Sequence, residues 1–285
     1  MFENQPVYCM GMGQYSLLSL LVILFSQTEA TIFPSNQGPI ALGFGNISSY
    51  KSDPFTALNH QGTLALAQNN SLSIAFQSQY FVEGLNHACI AGNYNIHNRG
   101  ILGIGYTFFG NQHYNEGLLK VSFSKRFFER LGAGISLDYL RHQLPKEFYK
   151  VKNLVTFEAG ILAQFNPHYD LAVQVINPLR VPLANYNDER LPFIINMAIF
   201  YNSGKKIILA AEWNQIVTGE GNLRVGIDYE VSNNFNVRAG FHNKPINPSL
   251  GISYTLKSIG IHVAFSMHPY LNASSAAGLT YYSSK

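Results

Sequence analysis

Hydrophobic and polar residues alternate one by one along most of the chain after residue 70. In the stretch 222–243, Leu223, Val225, Ile227 and Tyr229 take odd positions, whereas the even positions between them hold Arg, Gly and Asp. A period of two places successive side chains on opposite faces of a strand. The pattern therefore predicts an all-β protein whose sheet has one apolar face and one polar, charged face.

The alternation recurs about 14 times, and no stretch after residue 30 shows a convincing helical period. Globular strands average about 5–6 residues, whereas tilted transmembrane strands need about 9–11. Most of the segments here have the longer length. This favours a transmembrane antiparallel β-barrel of about 14 strands over a soluble sandwich, with the apolar face toward lipid. The predicted strands are 71–81, 86–96, 100–109, 114–125, 131–141, 153–165, 169–177, 192–202, 205–214, 222–231, 234–242, 249–257, 259–268 and 276–282.

The connections between these segments alternate in length. Every second connection is short, whereas most of the others are longer and contain Pro, Asn and Gly. Outer-membrane barrels have short periplasmic turns and longer outer loops. The asymmetry indicates a bacterial outer-membrane protein with both chain ends on the periplasmic side.

The chain before the first strand predicts two further segments. An apolar run of twelve residues, 15–26, precedes small residues at Thr28 and Ala30, which is typical of a secretory signal peptide cleaved after Ala30. We therefore expect a signal peptide over 1–30; the open alternatives are a start at Met10 or Met12 and an uncleaved anchor. Residues 31–68 are rich in Gly and Asn with short apolar pieces, which suits a small N-terminal plug, and 69–285 form the barrel.

Composition excludes several classes of function. Only 12% of residues are charged, the net charge is +3, and no Lys/Arg cluster suggests a nucleic-acid partner. Motifs of metalloproteases, α/β-hydrolases and phosphate-binding loops are absent. His262 and Ser266 share the polar face of one strand but have no evident acidic partner. We therefore expect no catalytic residue, no metal site and no cofactor, and the protein is predicted not to be an enzyme.

Seven charged residues take the inward parity of the predicted strands. Unpaired charges in a narrow lumen are costly, so we expect these groups to pair with one another or with the plug. Two interpretations remain open: an ion-pair network that fixes the plug, or a polar path through the wall. The residues are Asp138, Glu158, Glu212, Arg224, Asp228, Glu230 and Arg238.

Two stretches carry a family resemblance. ALGFGN at 41–46 and SDPFTALNHQGTLA at 52–65 resemble the N-terminal hatch of FadL-like outer-membrane proteins, and the PorV/PorQ family of Bacteroidetes is the nearer resemblance. The stretch 177–201 also resembles that branch. The plug motif falls on Gly43, Gly45, Asn59 and Gly62, with Thr63 where the family has Leu.

The resemblance implies a 14-stranded barrel with an N-terminal plug and a non-enzymatic role. One implied function is an accessory, scaffold or shuttle subunit of a larger outer-membrane protein complex, such as the type IX secretion machine. The alternative is a passive outer-membrane channel for small hydrophobic ligands. The expected partners are outer-membrane lipid, a larger protein complex and a hydrophobic small molecule.

Overall fold

The computed structural model describes residues 36–96, 99–143, 151–183 and 190–283. The predicted signal peptide over 1–30 lies outside these residues. The described chain forms fourteen antiparallel strands, as the alternation predicts. They are β1 Asn70–Ser78, β2 Asn86–Ile96, β3 Gly100–Gly110, β4 Asn115–Phe127, β5 Leu131–Gln143, β6 Lys152–Gln164, β7 Tyr169–Ile176, β8 Ile194–Asn202, β9 Ile207–Ile216, β10 Gly221–Ser232, β11 Phe235–Asn243, β12 Ile246–Leu256, β13 Ile259–His268 and β14 Asn272–Ser283.

Each strand pairs with its neighbours in the chain, and the first strand pairs with the last. The β1–β14 ladder runs from Asn70 opposite Ser283 to Ser78 opposite Ser275, so the sheet closes into a barrel. Closure gives every strand a neighbour on both sides, which is the condition for a sheet to survive in a bilayer. Because the strand number is even, β1 begins and β14 ends at the same end of the barrel. This end carries the short turns and is therefore the periplasmic one.

The two faces of the wall have opposite character. On β3, the large side chains of Leu102, Ile104 and Tyr106 are 42–57% exposed on the outside, whereas the alternate positions face inward. Of the aromatic residues near strand ends, Phe108, Tyr139 and Trp213 lie on the outside toward the outer end. Exposed aromatic residues toward the periplasmic end are Phe165, Tyr201, Tyr229 and Tyr254. An apolar belt bounded by aromatic residues is the surface that a bilayer requires.

Two strands begin three or four residues earlier than the sequence predicts. β12 starts at Ile246 and contains Pro248, although proline in a strand argues against a central position. The β12–β13 ladder begins only at Ser249, so Pro248 faces a strand on one side alone. β14 starts at Asn272 because small Ala and Ser residues, which show no alternation, still continue the ladder to β13.

Residues 36–69, here called the lumenal segment, lie inside the barrel. They contain three short helices, α1 Pro39–Gly43, α2 Thr56–Asn59 and α3 Gln61–Leu64. No helix in the described part of the chain is long and apolar enough to cross a membrane. Phe44, Ile47 and Tyr50 pack against the inner wall of β6–β9, whereas Phe55 and Leu58 pack against β2 and β3. The segment is buried on both sides and fills the middle of the lumen.

Candidate ligand path through the barrel

Glycines let the lumenal segment touch the wall backbone directly. A side chain on Gly62 would place its Cβ 2.6 Å from the backbone of Ile161, and one on Gly240 would lie 1.9 Å from the nitrogen of Gly45. Gly45 also has φ of +74°, which favours glycine. Gly43 meets Gly251 in the same way, at 2.8 Å. The glycines of the predicted plug motif therefore lie where the segment and the barrel come closest.

Asn59, the remaining residue of that motif, organises the segment itself. Its amide exchanges two hydrogen bonds with the backbone of Gln37, at 2.7 and 2.8 Å, and donates a third to Asp53 at 2.8 Å. These bonds tie the start of the lumenal segment to its second helix. The Asn59 side chain thus shapes the segment itself, whereas its backbone carbonyl accepts a hydrogen bond from Gln174 of the wall at 2.8 Å.

The first of three buried charge clusters joins the segment to β9 and β10. Glu212 accepts hydrogen bonds from the backbone and hydroxyl of Ser48, at 3.0 and 2.8 Å, and from the hydroxyl of Ser49. Arg224 pairs with the same carboxylate at 2.9 Å and donates to the carbonyl of Asn46. Both charged groups are nearly inaccessible to water. The wall thus holds residues 46–49 through charge-assisted hydrogen bonds, which are the stronger kind.

The second cluster lies on β4–β7. Lys120 pairs with Glu158 at 2.6 Å and donates to the carbonyl of Leu58 at 2.8 Å. Glu158 also accepts from the side chains of Gln61 and Gln174, at 2.8 and 3.1 Å. Asp138 lies beside this group and accepts a hydrogen bond from Ser136. This cluster holds the second and third helices of the segment.

The polar chain continues across β8 and β9. Asn196 donates to Gln174 at 3.1 Å, and Asn214 donates to Asn196 at 2.6 Å. Together with the second cluster, these side chains form a continuous hydrogen-bonded layer on the inner wall from β4 to β9. We call it the polar layer, defined by Lys120, Asp138, Glu158, Gln174, Asn196 and Asn214.

The third cluster lies on β10–β13. Arg238 forms an ion pair with Asp228 and donates to the hydroxyl of Ser253, and its guanidinium lies 5.7 Å from the ring of Tyr50. Ser253 in turn bonds His262 Nδ1 at 2.7 Å. These groups adjoin a cavity of about 310 Å³ near the periplasmic end, which Glu230, Lys205 and Lys206 also line. Glu230 is partly exposed in this cavity. The six other charged residues that were predicted from sequence to face inward are buried.

His262 and Ser266 do not contact each other. His262 instead bonds the hydroxyls of Ser253 and Thr280, and Ser266 lies opposite Ser249 and Ser274 in the ladders. His262 is thereby satisfied within the wall, on a network that ends in Ser73. The arrangement gives no support to hydrolysis by the predicted pair.

Burial shifts two titratable groups of the lumenal segment in opposite directions. It raises the pKa of the Asp53 carboxyl to about 6, against hydrogen bonds from the Phe55 backbone and Asn59 that favour the charged form. It lowers the pKa of His60 to about 4. His60 Nδ1 accepts the backbone N–H of Thr63 at 3.1 Å and caps the third helix. The cap needs this nitrogen unprotonated, in keeping with the lowered pKa.

Above the polar layer, toward the outer end, one band of the inner wall is apolar, and Glu116 and His142, 3.3 Å apart, lie one pleat beyond it. Leu118, Leu140, Ile176 and Ile194 each precede or follow a polar-layer residue by two positions, one pleat nearer the outer end, about 7 Å away. We call this the outer apolar cluster. Its buried members are Phe109, Leu118, Leu140, Leu154, Ile176, Leu191 and Ile194.

The described parts of the loop between β7 and β8, residues 177–183 and 190–193, contribute to this cluster through Val181, Leu183 and Leu191. β7 ends at Ile176, so the part of β6 from residue 152 to residue 157 has no strand beside it on that side. Asn177 covers the gap: its side chain accepts from Thr156 at 2.7 Å and donates to the carbonyl of Leu191 at 2.8 Å.

Sequence alternation did not reveal the outer apolar cluster or Lys120. The sequence signal that could have revealed the cluster is a local break in the alternation. Adjacent apolar pairs such as Leu118-Leu119, Tyr139-Leu140 and Leu154-Val155 recur near the outer ends of successive strands. One member of each pair faces lipid and the other faces inward. The break marks the height at which the lumen becomes apolar.

Comparison with known proteins shows which solved structures share this fold. No family model matches the chain, and no curated protein matches it in sequence. Solved structures do. The Ralstonia pickettii toluene transporter TbuX shares 12% identity with a TM-score of 0.64, covering 88% of this chain and 100% of that one.

The CymD monoaromatic hydrocarbon channel is equally similar, with 12% identity, a TM-score of 0.64, and coverage of 88% and 98%. A Pseudomonas aeruginosa FadL homologue shares 13% identity with a TM-score of 0.60, over 87% and 98% of the two chains. The chain has the FadL-like barrel fold. Its closed, apolar-belted barrel places it in the bacterial outer membrane.

Proposed function

We propose that the protein is a passive outer-membrane channel for small, neutral hydrophobic molecules, with residues 36–69 as its plug. The observation that carries the proposal is the outer apolar cluster, a patch of inward-facing apolar residues contributed by the wall and the outer loops, whereas the other two apolar clusters of the lumen are built around the lumenal segment. A barrel needs apolar residues outside but has no structural need for them inside. An apolar lining at the outer mouth offers a binding site to an apolar molecule arriving from outside.

The fold supports the proposal. Structures of the same fold are described as transporters of toluene or channels for monoaromatic hydrocarbons. A single aromatic ring buries roughly 150–250 Å². At roughly 25 cal/mol per Å², this corresponds to about 4–6 kcal/mol, or dissociation constants between about 1 mM and tens of micromolar. Binding of this strength captures a ligand and still lets it leave, as a passive channel requires.

The test measures uptake of radiolabelled toluene by cells that lack other hydrocarbon channels and produce this protein. Leu154→Asn, in the outer apolar cluster, is compared with Leu162→Asn, an inward leucine near the other end of the same strand. We expect the wild-type protein to accelerate uptake, Leu154→Asn to abolish the acceleration, and Leu162→Asn to retain it. Heat-modifiability on gels verifies that both variants fold.

If the wild-type protein gives no acceleration, the channel proposal fails. The accessory role in a larger complex, such as a secretion machine of the PorV/PorQ type, rests on the sequence resemblance at 177–201 and stays a prediction. A stoichiometric protein that co-purifies from native membranes, together with absent uptake, would favour it.

A further inference from the structure

The periplasmic turn between β4 and β5 combines exposed aromatic rings with a group of cations. Phe128 is 91% exposed, the most exposed large apolar side chain among the described residues, and Phe127 is 40% exposed. Lys125, Arg126 and Arg130 surround them and are exposed, and Arg99 of the preceding periplasmic turn is exposed as well. We call Arg99, Lys125, Arg126, Phe127, Phe128 and Arg130 the basic turn patch.

The patch lies where the wall leaves the apolar belt. On the outward series of β4, Val121 and Phe123 are 48% and 43% exposed, and Lys125 is the next outward residue toward the periplasm. The Lys125 ammonium lies 5.8 Å from the centre of the Phe127 ring. One pleat advances about 7 Å, so the cation lies just beyond the hydrocarbon, at the height of lipid head groups. Aromatic rings and long basic side chains both favour that interface.

The cations of the patch are uncompensated. Within the described residues, every buried Lys and Arg of the barrel wall pairs with a carboxylate, but none of the four patch cations does. The one acidic residue in the turn is Glu129, whose backbone carbonyl, rather than its carboxylate, accepts from Arg126 Nε at 2.7 Å. Four cations and one carboxylate leave a net charge of +3 within two neighbouring turns.

The turn holds Phe128 outward at a conformational cost. Phe128 and Glu129 have φ of +49° and +59°. This is the left-handed region, in which Asn and Gly are preferred at the centre of a tight β-hairpin turn. A bulky Phe in this region is uncommon. An Asn-Gly pair would relieve the strain but would remove the exposed ring.

We propose that the basic turn patch binds anionic phospholipid of the periplasmic leaflet, with phosphate groups on Lys125, Arg126 and Arg130 and the Phe128 ring inserted at the interface. Juxtamembrane cations gain about 1 kcal/mol each from an anionic leaflet, or roughly fivefold in affinity. Removing three cations is therefore expected to weaken retention of anionic lipid by at least tenfold. Lipid binding at this patch does not depend on what passes through the lumen.

The experiment uses the full-length protein in nanodiscs of phosphatidylcholine with or without about 30% phosphatidylglycerol. Retained phosphatidylglycerol is counted by native mass spectrometry, and thermal unfolding is measured in both lipids. The patch variant is K125Q/R126Q/R130Q, and F128S tests the ring alone. The control is K205Q/K206Q, which removes two exposed cations at the same end of the barrel that have no exposed Phe beside them.

We expect the wild type and the control to retain phosphatidylglycerol and to gain thermal stability from it. The patch variant loses both, and F128S retains fewer lipids with unchanged stability in pure phosphatidylcholine. Equal loss in the control and the patch variant would show a general charge effect and overturn the proposal. So would equal retention in all four proteins, or preferential capture of a periplasmic protein over lipid by the wild-type patch.

Discussion

Glu212 is the residue whose neutralisation tests most directly how the lumenal segment is held. Its carboxylate accepts three hydrogen bonds from Ser48 and Ser49 and pairs with Arg224. Glu212→Gln keeps the shape of the side chain but leaves Arg224 charged and buried without its counter-ion. Removing one partner of a buried pair costs roughly 3–5 kcal/mol. The bonds to Ser48 also lose their charge assistance.

This cost lowers the docking equilibrium constant of the segment by roughly two to four orders of magnitude, since 1.36 kcal/mol is a factor of ten. We therefore expect Glu212→Gln barrels to fold but to leak. Planar-bilayer recordings would show frequent openings, and protease would cut the lumenal segment from the periplasmic side. The double variant Glu212→Gln/Arg224→Gln leaves no uncompensated charge, so it should leak less than the single variant.

Lys244→Gln supplies the control. Lys244 pairs with Glu220 at 2.7 Å, but the two side chains are 50% and 63% exposed, and such pairs contribute about 0–1 kcal/mol. The Lys244→Gln barrel should therefore conduct no more than the wild type. If Glu212→Gln conducts no more than Lys244→Gln, the carboxylate does not hold the segment. If the double variant leaks more than the single one, the buried charge of Arg224 is not the source of the loss.

Three further predictions concern the contact of Gly62 with the wall, the titration of His60 and Asp53, and the loop between β7 and β8. Gly62→Ala should raise bilayer conductance because its Cβ would meet the wall backbone at 2.6 Å, whereas Gly92→Ala, with its nearest neighbour at 3.5 Å, should not. Protonating buried His60 costs stability as pH falls from about 6.5 to about 4, and ionising buried Asp53 costs stability as pH rises from about 4 to about 6, so the two effects oppose each other. In His60→Asn only the effect of Asp53 remains. The free energy of opening the segment, measured by its resistance to protease, should then fall by about 3 kcal/mol between pH 4 and pH 6. Protease resistance that does not change with pH would contradict this. Asn177→Gly keeps the positive φ but removes the side-chain bonds, and should speed proteolysis of the β7–β8 loop; unchanged cleavage would show that the loop is held elsewhere.

Strand alternation predicted the barrel because one rule governs every strand. The outer face must be apolar, so residues such as Leu223 and Ile227 reveal the register from sequence, and Asp228 and Arg238, paired in the structure, follow on the inner face. The contacts of the lumenal segment obey no such local rule. Glu158 meets Gln61 across 97 positions of sequence. Composition predicted a small N-terminal plug, inside or beneath the barrel, but only the folded chain shows which wall residues hold the segment.

The inner wall changes character at a defined height, and this constrains how any apolar ligand crosses. Leu118 lies one pleat above Lys120, and Ile176 one pleat above Gln174, so the apolar site ends directly on the polar layer. An apolar molecule gains nothing by entering that layer while its members are bonded to one another and to the carbonyls of Leu58 and Asn59. Those two carbonyls belong to the lumenal segment. Movement of the segment would therefore remove hydrogen-bond partners from the polar layer and open space below it at the same time. The energetic barrier that the polar layer presents to an apolar molecule is thus coupled to the position of the plug.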